Sequence, residues 1–434
     1  MGRLQLKEAV AMALGGMIGG GIYSAFGIVV AISGKVAWLA WLVAGAVAMA
    51  AGYSYVKLNG LVDDHGGAPT YIEALTGNST LAGMTGWTLL FGYVGSMALY
   101  AYAFSSFFSE LVGRQFVAGV PVANTVSVLL IAAFVGLNLV GVSETGKAED
   151  VLTFFKVGVI ALFGLWGVYY AFGAGELTFG LAKMSPADPL LGAAMSFVAF
   201  QGWQLLMYDQ DKFENPVENI KTAVYVSIPA ATALYVLVAF TTVSLLPVAS
   251  IAVGPEVSLL YAALEFMGRY GALLIGVSAL FSTASAVNAT LFSGALFSQN
   301  LIDRNLLPDR FGSDGGEIPR TLVVVLGVLS AAFAVFGSLQ SITSFASLAF
   351  IAVFGGMSYL AFSRRDELDL LTPVPVVGMV GTLVFFPTLL YDLFLESRSM
   401  FVTVVVIGLV VVGVELLYFE REPVAETIPW LSGE

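Results

Sequence analysis

Long apolar stretches alternate with short polar connections along almost the whole chain. Each stretch has about 20 residues or more, the length at which an α-helix crosses the hydrocarbon core of a bilayer. The pattern predicts about twelve membrane-spanning helices, and therefore an all-α polytopic membrane protein. The predicted spans are 8–32, 36–60, 81–112, 122–142, 148–174, 190–210, 222–247, 268–299, 321–338, 341–362, 374–395 and 399–419.

Lysine and arginine are unevenly distributed between the two sides that these spans define. Basic residues of multi-pass proteins concentrate in the cytoplasmic loops. With the N-terminus inside, the inner side holds Arg3, Lys7, Lys57, Lys147, Lys212, Lys221, Arg304, Arg310, Arg320, Arg364, Arg365 and Arg421. The outer side holds only Lys35, Arg114, Lys183, Arg269 and Arg398. Both termini are therefore predicted to be cytoplasmic.

Composition narrows the chemistry that the chain can carry. The sequence is 58% hydrophobic and 11% charged, and its formal net charge of -12 does not favour nucleic acid as a partner. Cysteine is absent and the single histidine, His65, lies in a polar loop, which excludes thiolate metal sites and histidine relays. We therefore expect no metal, no cofactor and no catalytic residue, and the chain is not predicted to be an enzyme.

The first predicted span contains five glycines in the run LGGMIGGGIY. Irregular backbone inside a bilayer persists only where it lines a protected cavity. A break at Gly19, Gly20 and Gly21 would expose amides that suit a carboxylate, and carbonyls near Ile18 would suit an ammonium group. Three consecutive glycines favour this break and, with it, a site for a zwitterion. The alternative is close helix packing, because Gly15 lies four residues before Gly19.

The sixth predicted span carries a second interruption. Its middle reads MSFVAFQGWQLLMY, in which Gly202 lies between Gln201 and Gln204 at mid-depth. Interrupted spans at corresponding positions of two halves indicate a midplane binding site between inverted repeats, as in the leucine-transporter fold. A single glycine tolerated in a packed helix is the alternative.

Lys156 is a basic residue inside a predicted span, and ionisable residues at that depth are functional candidates. In one interpretation its ammonium occupies a carbonyl-lined niche near Gly15 and Ile18, and its protonation changes between transport states. In the other, it snorkels to the inner surface. Ser282 and Ser285 of the eighth span share a helical face that could approach Lys156, although such hydroxyls often bond within their own helix.

Two further features are candidates for the wall of the cavity. Tyr93 of the aromatic third span is predicted to line it, whereas the neighbouring aromatic residues are expected to pack or to anchor at interfaces. Residues 63–71 (DDHGGAPTY) join turn residues to a short amphipathic stretch on the inner side. This segment is either an ordinary loop or part of a gate.

Several of these segments resemble the amino acid-polyamine-organocation transporters. MIGGGIY at 17–23 looks like the signature G-x-I-G-x-G-I-F, and FVAFQGW at 197–203 looks like the sixth-helix motif F-x-A-F-x-G-F. ENP and NI within 214–220 are similar to the run K-N-P-x-x-N-I, and 285–308 is similar to the eighth helix and its loop. The resemblance extends in order over roughly the first ten spans.

The resemblance implies a five-plus-five inverted repeat with broken first and sixth helices, followed by two additional C-terminal helices. The single membrane transport domain, 1–434, would then divide into repeats at 1–175 and 188–366 and a C-terminal part at 367–434. The resemblance also implies alternating-access uptake of amino acids across the plasma (inner) membrane of a prokaryote.

The resemblance also implies roles for individual residues. The substrate-binding residues would be Ile18, Gly19, Gly20, Gly21, Ala199, Phe200 and Gly202. The glycines of the first span would bind the carboxylate, and the others would present carbonyls or shape to the ammonium and side chain. Lys156 matches a lysine of some proton-coupled members, at the place where sodium-coupled relatives bind an ion. Gln204 and Leu296 depart from the family pattern, which commonly has glutamate and arginine there.

The leading hypothesis is a secondary transporter that takes up amino acids, with protons as the coupling ion. Residues 195–208 contain no charged side chain, so we expect a substrate with a neutral or apolar side chain, since a charged one would need a partner in a dry site. The expected partners are an amino acid, protons and the lipid bilayer. The alternatives are an exchanger without net proton coupling and a substrate-binding membrane sensor.

Overall fold

Helices dominate the computed structural model, which describes residues 3–62, 66–117, 119–140, 146–185, 187–208, 210–307, 319–414 and 416. The α-helices of the first half are α1 (Leu6–Ser33), α2 (Ala37–Asn59), α3 (Ala68–Thr76), α4 (Ser79–Val112), α5 (Val122–Val140) and α6 (Gly146–Ala174). Two short antiparallel strands, β1 (Phe116–Val117) and β2 (Val120–Pro121), precede α5.

The second half continues the same helical pattern. Its α-helices are α7 (Ala187–Ser196), α8 (Pro216–Leu245), α9 (Val248–Val253), α10 (Ser258–Asp303), α11 (Arg320–Phe336), α12 (Leu339–Ser363), α13 (Pro373–Glu396) and α14 (Arg398–Val414). Short 3-10 helices cover Gly34–Val36, Leu181–Lys183, Phe197–Phe200, Trp203–Met207, Gln210–Lys212 and Pro255–Val257.

The predicted membrane spans are present as helices. Among the described residues, eight helical stretches are long and apolar enough to cross a membrane, and the first contains both α1 and α2. The 34-residue α4 and the shorter apolar helices α11 and α14 correspond to the remaining predicted spans. The all-α polytopic fold class is therefore confirmed. The division into repeats at 1–175 and 188–366 stays a prediction.

The largest difference in a span boundary lies at α10. The eighth span was expected to begin near residue 268, whereas α10 begins at Ser258 and extends to Asp303. Gly268 has a φ of 66°, so the helix is kinked where the apolar span was expected to begin. The preceding turns are helical but lie outside the predicted apolar span.

The interruption of the sixth span is confirmed. α7 ends at Ser196, and the chain continues through two 3-10 helices that are separated by Gln201 and Gly202. Gln201 is extended, and Gly202 has a φ of 122°, a backbone conformation that side-chain-bearing residues rarely adopt. The α-helical hydrogen-bond pattern is therefore lost in the middle of this span.

The predicted break in the first span is wrong for this structure. α1 is one continuous α-helix that passes through the whole glycine run without a non-helical residue. In a continuous helix each amide bonds to a carbonyl four residues earlier. Gly19, Gly20 and Gly21 therefore do not present free amides here.

The glycines of α1 allow close contact instead, which is the alternative that the sequence had left open. A methyl group on Gly16 would lie 2.8 Å from Cα of Gly202, and one on Gly21 would lie 2.7 Å from Cα of Ala199. Backbone of α1 thus meets backbone of the interrupted sixth span directly. Small residues permit such approaches between membrane helices.

A backbone pairing ties the start of the chain to the segment that follows the sixth span. Leu4 N donates to Lys212 O, and Glu214 N donates to Leu4 O, both at 2.8 Å. The pairing is a single parallel bridge between Leu4 and Phe213. The cytoplasmic ends predicted for the first and sixth spans are therefore joined by main-chain hydrogen bonds.

The contacts of the glycine run predict different effects on stability for two neighbouring substitutions. In Gly20→Ala the new methyl would lie 2.0 Å from Cε1 of Tyr100, and we expect overpacking to lower the unfolding free energy by about 1–3 kcal/mol. In Gly19→Ala the new methyl would lie at an ordinary 3.5 Å from Cβ of Ala286, so this matched control should be as stable as the parent or more stable. Thermal unfolding in detergent measures both, and equal midpoints would contradict the packing role of Gly20.

The terminal bridge predicts a second stability effect. Leu4→Pro removes the amide that donates to Lys212, and we expect a loss of about 0.5–1.5 kcal/mol together with faster hydrogen exchange in the first turn of α1. Leu4→Val keeps the amide and controls for the trimmed side chain. Hydrogen-exchange mass spectrometry of α1 peptides tests the effect, and identical exchange in the two variants would refute it.

Candidate functional site

A cavity of about 50 Å³ lies where α1, α6, α10 and the interrupted sixth span meet. Its lining includes four residues that the sequence had marked for the site, namely Gly15, Lys156, Gly202 and Ser285. The other lining residues are Met12, Gly16, Gln201, Leu205, Leu206, Ala286, Ala289, Thr290 and Ser293. The two glycine-containing spans and the buried lysine therefore converge on one hollow.

Lys156 is buried within the protein, with only 1% of its surface exposed. Its Nζ donates to Ser285 Oγ at 3.2 Å and lies 3.9 Å from the position of a methyl group on Gly19. The snorkelling interpretation is therefore wrong, and the ammonium occupies a niche against α1. A charge buried at this depth needs such polar neighbours to offset its desolvation.

The hydroxyls of α10 form part of this niche. Ser282 Oγ donates to Ile18 O at 3.3 Å. α10 therefore hydrogen-bonds to a carbonyl of α1 through Ser282 and to Lys156 through Ser285. Thr283, on another face, bonds back to Ala279 O at 2.7 Å within its own helix. The expected face of Ser282 and Ser285 is therefore correctly placed, and the back-bonding alternative applies to Thr283.

Thr153 adds a further hydroxyl that the sequence analysis did not single out. Its Oγ1 lies 2.8 Å from the position of a methyl group on Gly15. It is buried, and no hydrogen-bond partner for it is found among the described residues. It lies one helical turn before Lys156, a spacing that places the two residues on neighbouring parts of one helix face.

The peptide groups of the interruption are held by side chains from other helices. Ala199 O, predicted to face the substrate ammonium, accepts a hydrogen bond from Tyr235 OH at 3.0 Å. Phe200 is fully buried, and its ring centroid lies 5.3 Å from that of Tyr235 and 6.1 Å from that of Trp41. Phe200 thus belongs to an aromatic wall beside the interruption.

The aromatic residue of α4 that meets the glycine run is Tyr100 rather than Tyr93. Tyr100 packs against Gly20, and its hydroxyl accepts a hydrogen bond from Gln201 Nε2. Neither tyrosine is among the residues that line the cavity, and the Tyr93 hydroxyl lies 2.9 Å from that of Tyr208. The two tyrosines are seven residues apart on one helix face, and sequence periodicity alone does not distinguish their depths.

Part of the segment 63–71 packs under the sixth span. Residues 63–65, which include His65, lie outside the described residues, while the expected amphipathic stretch forms α3. A methyl group on Gly67 would lie 2.4 Å from Cε1 of Tyr208. Tyr71 OH donates to Asn59 Oδ1 at 2.5 Å, and burial raises the pKa of the Tyr71 phenol above its ordinary value, so it remains a neutral donor. These contacts favour the gate interpretation of the segment.

Comparison with known proteins shows which family this chain resembles. The amino acid permease family model matches residues 4–414. The chain is 24% identical to the methylthioribose transporter of Bacillus subtilis, over 87% of this chain and 85% of that one. It is 26% identical to the serine/threonine exchanger SteT of the same organism, over 70% of this chain and 68% of that one.

A solved structure shares the fold at much lower sequence identity. The manganese transporter of Eremococcus coleocola superposes with a TM-score of 0.61 and 13% identity, covering 95% of this chain and 92% of that one. At that identity the likeness concerns the fold alone. Family and relatives together show a multi-pass membrane transporter and not an enzyme. The chain belongs to the amino acid permease family.

Proposed function

We propose that this protein takes up amino acids with neutral side chains by alternating access and couples uptake to protons. The observation that carries the proposal is the buried ammonium of Lys156, held by Ser285 beside the interrupted sixth span. Burying a cation at membrane depth costs free energy, and ionisable residues that are found there usually serve function.

The proposed substrate site lies between the glycine run of α1 and the interruption of the sixth span. Its residues are those proposed from the sequence with Tyr100 in place of Tyr93: Ile18, Gly19, Gly20, Gly21, Ala199, Phe200, Gly202 and Tyr100. The carbonyl of Ala199 has a second lone pair beside the one used by Tyr235, and it suits an ammonium group. The hydroxyl of Tyr100 can donate a hydrogen bond to a carboxylate once Tyr100 moves away from Gln201.

The polarity of the cavity supports a neutral substrate side chain. Among the residues that line it, Lys156 is the one charged side chain, and the others are apolar, hydroxyl or amide groups. A basic side chain would need a carboxylate, which this lining does not provide, and an acidic side chain would compete with the coupling role proposed for Lys156. The aromatic wall of Phe200, Trp41 and Tyr235 suits an apolar group.

The proposed coupling step is the protonation and deprotonation of Lys156. When charged, its ammonium donates to Ser285 and holds α6 and α10 together near α1. When neutral, it donates more weakly and the niche loses its positive charge. Gly15 and Ser282 belong to the same proposed coupling group, because Gly15 lines the cavity with Lys156 and Ser282 holds the carbonyl of Ile18.

The described conformation is closed around the proposed site. A cavity of about 150 Å³ admits benzene, which has as many heavy atoms as alanine, and the cavity here measures about 50 Å³. It has room for water but not for an amino acid with a side chain. Gly19, Gly20, Gly21, Ala199 and Phe200 do not line this cavity. Binding at the proposed site therefore requires α1 to separate from Tyr100 at Gly20 and from Ala199 at Gly21.

We also propose a prokaryotic plasma membrane with both termini cytoplasmic, on the distribution of basic residues described above. In that orientation the bridge between Leu4 and Phe213, and α3, lie at the cytoplasmic face. Tyr208 and Gly67 then close the path from the cavity to the cytoplasm.

Exchange is the second candidate mechanism. The relative that is a serine/threonine exchanger favours it, and the methylthioribose transporter indicates that related chains carry other solutes. A sensor that binds without transport is the third candidate.

The direct test uses purified protein in liposomes. A thermal-shift screen of the twenty amino acids identifies ligands, because a ligand that binds the folded state raises its apparent stability. We expect a neutral amino acid to shift the midpoint and to accumulate under an inward proton gradient. Uptake that needs internal amino acid but no gradient would favour exchange, and binding without flux would favour a sensor.

Replacing the buried lysine tests the coupling step. Lys156→Met keeps an apolar stem of similar length without the charge, and we expect gradient-driven uptake to fall by roughly 5- to 150-fold, as for loss of a coupling interaction. The matched control is Lys221→Met, which removes an exposed lysine paired with Glu218 and should leave uptake unchanged. Normal proton dependence in Lys156→Met would remove this residue from the mechanism.

A further inference from the structure

A line of neutral side chains, buried except for the partly buried Tyr208, extends from the glycine run of α1 toward the segment at Gly67. We call it the amide–tyrosine chain, and its members are Tyr100, Gln201, Gln204, Tyr93 and Tyr208. Its upper end packs against Gly20 and its lower end packs against Gly67. The proposed substrate site and the proposed cytoplasmic barrier are thus connected by polar contacts.

Gln204 is the branching member of this chain. Its Oε1 accepts from Gly202 N at 2.7 Å, and its Nε2 donates to Gln201 Oε1 at 3.4 Å. Gln201 in turn donates to Tyr100, and Tyr93 interacts with Gln204 as well as with Tyr208. One carboxamide therefore hydrogen-bonds to the interrupted backbone and to the upper arm, and it lies beside Tyr93 of the lower arm.

The chemistry of an amide suits this position better than that of a carboxylate. A carboxamide offers an acceptor and two donors, so Gln204 can accept from Gly202 and also donate to Gln201. An ionised glutamate is an acceptor only and would bring an unpaired charge into a buried place. Gln204 is fully buried, so its unmade hydrogen bonds would not be replaced by solvent.

We propose that Gln204 is a positioning residue that holds the interruption of the sixth span open and links the substrate site to the Tyr93–Tyr208 pair. The inference rests on the proposed transport function. Movement of Tyr100 away from Gln201 on substrate binding shifts the upper arm, and Gln204 passes that shift to Tyr93. The barrier at Tyr208 and Gly67 then loosens when the site above it is filled.

The first test removes the hydrogen bonds and keeps the volume. In Gln204→Met we expect maximal uptake of the amino acid found by the thermal-shift screen to fall at least roughly fivefold, with a smaller change in its Kd. Gln299→Met is the matched control, because Gln299 is a partly exposed glutamine that bonds to Asp303 at the end of α10. Wild-type uptake in Gln204→Met would overturn the proposal.

The second test uses the donor requirement directly. Gln204→Glu lacks a donor when ionised and regains one when protonated, so its uptake relative to wild type should recover as the pH falls from 8 to 5. Taking the ratio removes the effect of the proton driving force, which both proteins share. The Tyr93 phenol beside Gln204 ordinarily titrates near pH 10, and Lys156 lines the cavity next to Gln201 and Gly202. A ratio independent of pH would overturn the proposal.

A third measurement does not depend on transport. Hydrogen exchange in peptides that cover 201–208 reports the protection of the Gly202 amide, which we expect to be lost in Gln204→Met and kept in Gln299→Met. If no amino acid binds or crosses the membrane in wild type, the proposed function fails, while this exchange result still tests the local role of Gln204. Unchanged exchange in Gln204→Met would overturn that role.

Discussion

Peptide groups that leave a helix inside a membrane need partners within the protein, and this need governs the packing around the sixth span. Ala199 O accepts from Tyr235 of α8, and Val198 N donates to Ser347 of α12. Gly202 N finds its acceptor within its own segment. The interruption is therefore stable only because helices distant in sequence supply polar side chains at one depth, and those helices are in turn fixed around it.

The continuous α1 has a different part in the same arrangement. Its glycines let its backbone lie directly on Ala199 and Gly202, so that no side chain separates the two spans. Polar side chains lie beside this contact, where Ser282 meets Ile18 of α1 and Ser285 meets Lys156. Interactions of a charge are stronger in such a dry place than in water, so a change in the protonation of Lys156 would alter the contacts among α1, α6 and α10.

Hydropathy, glycine content and charge within a span are local properties of the chain. The sequence could therefore predict the spans, the interruption at Gly202 and the candidate role of Lys156. Whether the glycine run of α1 breaks the helix or packs within it could not be predicted from the sequence. Glycine serves both helix breaks and close packing, and the outcome here depends on Tyr100, which is distant in sequence. Tyr93 and Tyr100 share one helix face, so their depths follow from the partners that the fold brings to each of them.

A glycine run packed as a continuous helix also constrains how the site opens. Because α1 is already hydrogen-bonded along its length, room for a substrate comes at lower cost from separating its surface from Tyr100 and Ala199 than from unwinding it. The bridge between Leu4 and Phe213 ties the start of α1 to the segment after the sixth span, so the two spans resist separation at that end. Separation is then easiest away from the bridge, unless the bridge itself opens. The free energy of this small main-chain contact thus enters the balance between the closed conformation and any conformation in which the two spans are apart.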